Sequence, residues 1–447
     1  MSGRSLSVLP ALAALTFTLA ASARAGGFSQ GPRLSGTAQN LGGAWQGYSV
    51  ALSADGSTLI VGAPAWNGGQ AHPTGTVWIF TRVNGMWVQQ GPNLVGTGYT
   101  ESSFGIGQGT AVALSSDGNT ALVGAPNDSG QLGTVWVFTR SAGVWTQQGG
   151  KFIPDASGNV QFGASVALSS DGNTAIVGGP QDSLGDGAAW TFTRSGGIWY
   201  RDARLYGTTV LARAAQGTSV ALSADGNTAL VGGPKEGSGG AAWVFTRSND
   251  TWTQQGDELV DSSGPGGERQ GNSVALSSDG NTAAIGGPGD DSNVGAVWIY
   301  TRSGATWTQQ GGKLLGSDAT GAALQGWSVA LSGAGDLLLF GGQGDDDHGA
   351  AWAFTQSGVT WSQLGSKLLP TAFVGAGPAF GRAVALSRDG FTAAVGGLTD
   401  ASFSGATWVF DRRCVHGDLN GDGVVDISDV FYLINFLFAG GPAPQCF

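Results

Sequence analysis

The triplet Val-Ala-Leu begins at Val50, Val112, Val166, Val220, Val274, Val329 and Val384, at successive spacings of 62, 54, 54, 54, 55 and 55 residues. A period this regular makes each copy one supersecondary unit and restricts the chain to a stack or a ring of such units. The copy that starts at Gln108 divides into four β-rich runs, residues 111–115, 120–124, 134–140 and 144–152. In the third run Val135, Val137 and Thr139 alternate with Trp136, Phe138 and Arg140, the period of a strand. Asp117-Gly118, between the first two runs, offers the positive φ angles of a tight hairpin. Four antiparallel strands repeated seven times predict an all-β fold, a seven-bladed β-propeller of four-stranded antiparallel blades.

The ends of the repeat array indicate closure. The seventh copy stops after its third run, residues 406–412, without the Trp-Thr-Gln-Gln-Gly segment that should follow. Near the other terminus, Gln30-Gly31-Pro32-Arg33-Leu34 matches Gln90-Gly91-Pro92-Asn93-Leu94, the fourth strand of the first copy. An N-terminal strand can therefore complete the seventh blade and remove two exposed sheet edges. Trp78, Trp136, Trp190, Trp243, Trp298, Trp352 and Trp408 share one repeat position, and Trp87, Trp145, Trp199, Trp252, Trp307 and Trp361 share another. Indoles present in nearly every copy are expected to fill the space between blades. Trp45, Trp66 and Trp327 break the pattern and are the better candidates for a surface role, with packing as the alternative.

These units resemble the FG-GAP repeats of integrin α-subunit propellers and their bacterial relatives. Phe162-Gly163 and Phe380-Gly381 carry the leading pair, and Gly62-Ala63-Pro64 and Gly124-Ala125-Pro126 the trailing triplet. Several copies have Gln-Gly for Phe-Gly, and Gly-Gly-Pro stands at Gly178, Gly232 and Gly286. The last two copies have Gly341-Gly342-Gln343 and Gly396-Gly397-Leu398. The resemblance covers residues 28–412 and implies extracellular recognition rather than a reaction. One family feature does not carry over, since the acidic calcium loop between the first two strands has shrunk to a segment such as residues 115–119 with one carboxylate. Asp55, Asp117, Asp171, Asp225, Asp279 and Asp389 are accordingly expected to be turn residues.

Chain direction places the short turns on one face and the longer connections on the other, including residues 65–75, 127–133, 289–295, 344–349 and the interblade loop 95–107. Variable loops on a rigid frame are where binding usually resides. Asp290, Asp291, Asp345, Asp346 and Asp347 make part of that face acidic, which is read as solvated loop charge, with a bound cation or basic partner as the alternative.

After Arg413 the composition changes. Asp418, Asn420, Asp422, Asp426 and Asp429 occupy positions 1, 3, 5, 9 and 12 of one loop, with Gly423 at position 6. That spacing lets twelve residues wrap Ca2+, with Val424 offering its backbone carbonyl. Asp at position 12 makes the segment resemble a dockerin half-repeat, a variant of the EF-hand loop. Dockerins pair two such loops where this tail carries one, so the resemblance implies no more than a possible cohesin-like partner. The apolar run 430–438 is the expected exit helix, and Gly440-Gly441-Pro442 ends it. Cys414 and Cys446 bracket this segment and are expected to form a disulfide, a catalytic thiol being the alternative.

Arg4, the apolar stretch 6–19 and Ala23-Arg24-Ala25 have the layout of a secretory signal. The expected organisation is a signal peptide over 1–25, a propeller over 26–412 and a calcium-binding tail over 413–447, in a secreted or cell-surface protein. Loss of Arg4 and Arg24 from the 20 basic residues leaves 18 against 31 acidic ones, a balance that repels nucleic acid and anionic lipid. No stretch beyond the signal offers the roughly 20 apolar residues of a transmembrane helix.

Three functional readings compete. The first is a non-catalytic, monomeric binding or adhesion propeller for an extracellular protein or glycan, the second a hydrolase or lyase on the same scaffold, and the third a structural component of an envelope assembly. His72, His348 and His416 show no metal-site spacing, and no nucleophile motif is present. Glu101, Glu236, Glu258 and Glu268 are the carboxylates outside the tail that depart from the repeat, and nothing in the sequence marks them as acid or base. The first reading is therefore preferred.

Overall fold

The computed structural model describes residues 27–412, apart from the loop segments 38–41, 69–71, 101–104, 209–210, 212, 262–265 and 376, together with residues 427–439. Gly27–Arg413 forms one compact unit. It contains seven four-stranded antiparallel sheets, six of them built from strands consecutive in sequence. The seventh is ordered Phe28–Leu34, Ala406–Arg412, Thr392–Gly397, Phe380–Leu386, so the opening strand completes the last blade. Phe28 pairs with Arg412, Gln30 with Phe410 and Arg33 with Trp408, with a bulge between Gln30 and Arg33.

Closure is also written in the backbone at the axis. Ala54 N–H donates to Ser116 O, and the same bond continues from Ser116 to Ser170, Ala224, Ser278, Gly333 and Arg388 before Arg388 N–H donates back to Ala54 O. Seven bonds of 2.8–3.0 Å thus form a continuous ring, one per blade, at the mouth where the first-to-second-strand turns lie. Each turn is held by its own aspartate. Ser115 Oγ and Asn119 N–H both donate to Asp117 Oδ1, and Thr120 N–H donates to Ser115 Oγ. Asp55, Asp171, Asp225, Asp279 and Asp389 repeat the contact, as the sequence led one to expect. In blade six the role passes to Asp336, two residues later relative to Ser332.

The core lies between blades. One cluster joins Ile60, Val77 and Ile79 of blade one to Val123, Trp136 and Phe138 of blade two, and another joins Leu59 and Trp78 of blade one to Ala394 and Val409 of blade seven and Leu34 of its opening strand. All seven third-strand tryptophans are fully buried there. Five of the six fourth-strand tryptophans instead lie under third-strand arginines, with Arg140 at 5.4 Å from the Trp145 ring and Arg194 at 5.1 Å from Trp199, whereas Trp361 faces Gln356. Arg140 also donates to Gln90 and Thr58 of the preceding blade, so it staples two sheets together. Glycines are required where blades touch. A Cβ on Gly62 would lie 2.1 Å from Gly109 O, and Gly109 itself sits at φ +87°.

The run 144–152 is shorter as a strand than the sequence indicates. It pairs as Val144–Gln147, breaks, and resumes only at Phe152 opposite Val135. Gly149, at φ 70°, supplies the break. Blade three has Asp202-Ala203 in that region, and its fourth strand runs unbroken over Ile198–Leu205.

Ile427–Ala439 is a helix, beginning three residues before the expected start. It belongs to the second compact unit. Residues 1–26, the proposed calcium ligands from Asp418 to Asp426, the Asp429 side chain, and Cys414 and Cys446 lie outside what the structure describes. Among the described residues no helix is long and apolar enough to cross a membrane.

Candidate functional site at the axial mouth

The face opposite the backbone ring opens into a cavity of about 580 Å³ on the propeller axis. The residue two positions before each Val-Ala-Leu triplet lines it. In blade order these are Tyr48, Thr110, Ala164, Thr218, Asn272, Trp327 and Arg382. Flanking positions repeat from blade to blade, whereas this one differs in nearly every copy. The frame is therefore common and the lining individual.

Three of these side chains form one cluster. The Arg382 guanidinium lies 4.1 Å from the centre of the Tyr48 ring and 5.2 Å from that of Trp327, so blades six, seven and one meet through a cation held between two aromatic faces. Trp45 stacks with Tyr48, with centroids 6.4 Å apart and planes 14° from parallel. Trp327 is fixed from the backbone side, since its carbonyl accepts from Asn272 Nδ2 at 3.1 Å. Asn127, Gln161, Thr110 and Thr218 add amide and hydroxyl groups to the rim.

Trp45 occupies a demanding backbone position. Its φ is 60°, and its counterparts Gly107, Gln161, Ala215, Arg269, Leu324 and Ala379 are all left-handed as well. A bulky residue there costs on the order of 1 kcal/mol or more, which is the kind of local strain that accumulates at functional surfaces. Its ring is 39% exposed, the largest exposure in the cluster.

Of the three pattern-breaking tryptophans, Trp45 and Trp327 thus line the mouth. Trp66 does so only through its neighbours Pro64 and Ala65, and its own ring packs on the hydrophobic cluster between blades seven and one. Sequence reasoning missed Tyr48 and Arg382. The available signal was non-repetition at a fixed repeat position, which matters as much as the conspicuous tryptophans.

The acidic loops require a correction. Asp290 and Asp345 are not solvated loop charge. They are 2% and 0% exposed, and they pair with Lys313 Nζ at 2.6 Å and Lys367 Nζ at 2.5 Å. Asp128 with Lys151, Asp182 with Arg204 and Asp400 with Arg33 form the same pair in three further blades. Asp291, Asp346 and Asp347 are exposed, as expected of loop charge.

No protein-family model matches this chain, and no curated protein sequence is similar to it. Among solved structures, Kuenenia stuttgartiensis hydrazine synthase is similar to it at 15% identity and a TM-score of 0.51, over 83% of this chain and 96% of that one. At that identity the likeness concerns the fold alone, and the fold shared is a propeller.

Proposed function

We propose that this is a secreted, non-catalytic recognition propeller whose ligand seats on the axial mouth, against Trp45, Tyr48, Trp327 and Arg382. The observation that carries the reading is the stacking of Arg382 on both Tyr48 and Trp327, in a cavity that also presents amides and hydroxyls among four prolines. Flat apolar faces beside hydrogen-bonding groups suit a sugar ring, which presents C–H bonds on one face and hydroxyls at its edge. Among the described lining residues there is no carboxylate, imidazole, thiol or amine, and the Tyr48 phenol is the one group of general acid or base type. The FG-GAP-like motifs support an extracellular binding role.

The calcium-loaded tail, with Asp418, Asn420, Asp422, Val424, Asp426 and Asp429 as ligands, is the proposed docking element for a cohesin-like partner or an extracellular assembly. Calorimetry on Asp418→Ala/Asp422→Ala should show loss of the tail's calcium with propeller melting nearly unchanged. The recognition reading is tested on a glycan array with the full mature chain. It expects saturable binding that Trp327→Ala weakens at least about tenfold, the effect of losing a buried aromatic anchor. Turnover of any array member would favour the hydrolase instead.

A further inference from the structure

In five blades the loop after the second strand begins with a buried aspartate, and the fourth strand or the segment just after it supplies a lysine or arginine to it. The two carboxylate oxygens have separate duties. Asp128 Oδ1 accepts from Thr100 N–H of the interblade loop, while Oδ2 takes Lys151. Asp345 repeats this with Thr320 N–H and Lys367, and Asp400 with Val374 N–H and Arg33. One oxygen thus anchors the loop, and the other meets a cation.

Blade four keeps the first duty and reverses the second. Glu236 stands where the aspartate should be, is 5% exposed, and accepts from Leu211 N–H through Oε1 at 2.9 Å. The fourth-strand position that carries Lys151, Arg204, Lys313 and Lys367 elsewhere is Glu258 here. Glu236 Oε2 and Glu258 Oε2 are both buried, and neither has a hydrogen-bond partner among the described residues. Both line a cavity of about 230 Å³ together with Asp261, Glu268 and the loop Gly237-Ser238-Gly239-Gly240. Burial raises the pKa of Glu236, and burial, followed by the charges of Glu236 and Asp257, raises that of Glu258. Asp261 is engaged by Trp298 Nε1 and Glu268 by Gly266 N–H. Lys235, next in sequence, is exposed, and no ion pair among the described residues involves Glu236, Glu258 or Glu268.

We propose that blade four binds a divalent cation between Glu236 and Glu258, in the place where five other blades carry their own lysine or arginine. Two buried carboxylate oxygens facing one cavity are a costly arrangement without a counter-charge. An oxygen-only ligand set selects a hard cation, and the tolerance of calcium for irregular shells fits two glutamates completed by water and loop carbonyls. Among the described residues no group of three His, Cys, Asp or Glu side chains is gathered to hold a metal, so the rest of the shell has to come from water and loop carbonyls. The site is distinct from the tail loop and from the axial mouth.

The test uses the full mature chain carrying Asp418→Ala/Asp422→Ala, so that the tail loop no longer contributes. Calcium is titrated by calorimetry, with thermal melting measured at saturating calcium and in chelator. One binding event is expected to remain, and saturation should raise Tm by about a degree or more. Adding Glu258→Lys, which gives blade four the ion pair of its neighbours, should abolish that event and raise the Tm in chelator. Glu236→Gln should also abolish the event without restoring a pair. Calcium uptake that survives Glu258→Lys would overturn the proposal. So would absence of any uptake in the parent, including the case where its Tm rises between about pH 7 and pH 5 because the two carboxyls share a proton instead.

Discussion

The guanidinium of Arg382 lies 4.1 Å from the centre of the Tyr48 ring, and this contact crosses the seam between blade seven and blade one. The seam is also where the chain closes, through the opening strand and through the salt bridge of Arg82 to Asp411 at 2.6 Å. The mouth cluster therefore rests on the part of the ring whose geometry depends on closure. Arg382→Ala should remove about 0.5–1 kcal/mol of cation–π attraction and leave two aromatic faces unsupported. Ligand affinity should fall more than stability, and Arg382→Lys should restore stability better than affinity, because an ammonium does not stack as a planar guanidinium does. Paired binding isotherms and melts of the two variants check this. Equal losses in both quantities would assign Arg382 to the frame alone.

Acid should unfold the propeller through its turns. Asp55, Asp117, Asp171, Asp225 and Asp279 have lowered pKa values: partial burial pushes each upward, and hydrogen bonds from the preceding serine hydroxyl and the following residues outweigh it. A carboxyl lowered by folding contributes stability above its unfolded pKa and loses it as pH falls through the folded value. Five similar turns lose it together, so their contribution should hold down to about pH 4 and drop steeply below. Glu236 and Glu258 have the opposite sign, since a raised carboxyl pKa gives stability at low pH that is lost as pH rises. Melts of Asp117→Asn across this range should show a shallower acid limb than the parent. An unchanged limb would remove the turns from the explanation.

Much of the ring was legible because its determinants recur. Val-Ala-Leu, Asp-Gly and the tryptophan positions are each stated six or seven times, so strand order, hairpin turns and interblade packing could be read without long-range information. The opening strand was legible for the same reason, as Gln30 to Leu34 repeats a segment already placed in the first copy. The site was harder. Tyr48 and Arg382 are 334 residues apart in sequence and meet only after closure. The ion pairs were missed because the aspartate and its lysine sit 22 or 23 residues apart, one in the loop after the second strand and the other just past the fourth, as in Asp128 with Lys151 and Asp345 with Lys367. Read along the chain, Asp290 and Asp345 look like loop charge, and only the return of the fourth strand buries them.

The ion pairs should behave as buried pairs do. Asp128 is 0% exposed and Lys151 retains 21% exposure, so removing the lysine leaves a carboxylate with no route to water. Lys151→Met should cost about 3 kcal/mol, and Asp128→Asn/Lys151→Met should recover much of that, since the uncompensated charge has gone. A double-mutant cycle by chemical denaturation measures the coupling. Additive single effects would show that the pair is a surface contact in energetic terms, despite its burial.

Deletion of residues 26–34 tests how far the ring depends on its borrowed strand. The deletion removes Leu34 from the cluster between blades seven and one and takes Arg33 from Asp400. It also exposes the edge of Ala406–Arg412, whose residues pair with the opening strand from Phe28 to Leu34. An unpaired edge invites association with other chains, and an unpaired buried aspartate destabilises the blade that carries it. The truncated chain should therefore melt well below the parent and self-associate in sedimentation, and a synthetic peptide of residues 26–36 added in trans should reverse both. If the peptide carried Arg33→Met, rescue should be weaker, because the strand would pair without neutralising Asp400. A truncated chain that stays monomeric with an unchanged melt would mean that the ring is held by the axial backbone bonds alone, with Arg388 to Ala54 sufficient as its clasp.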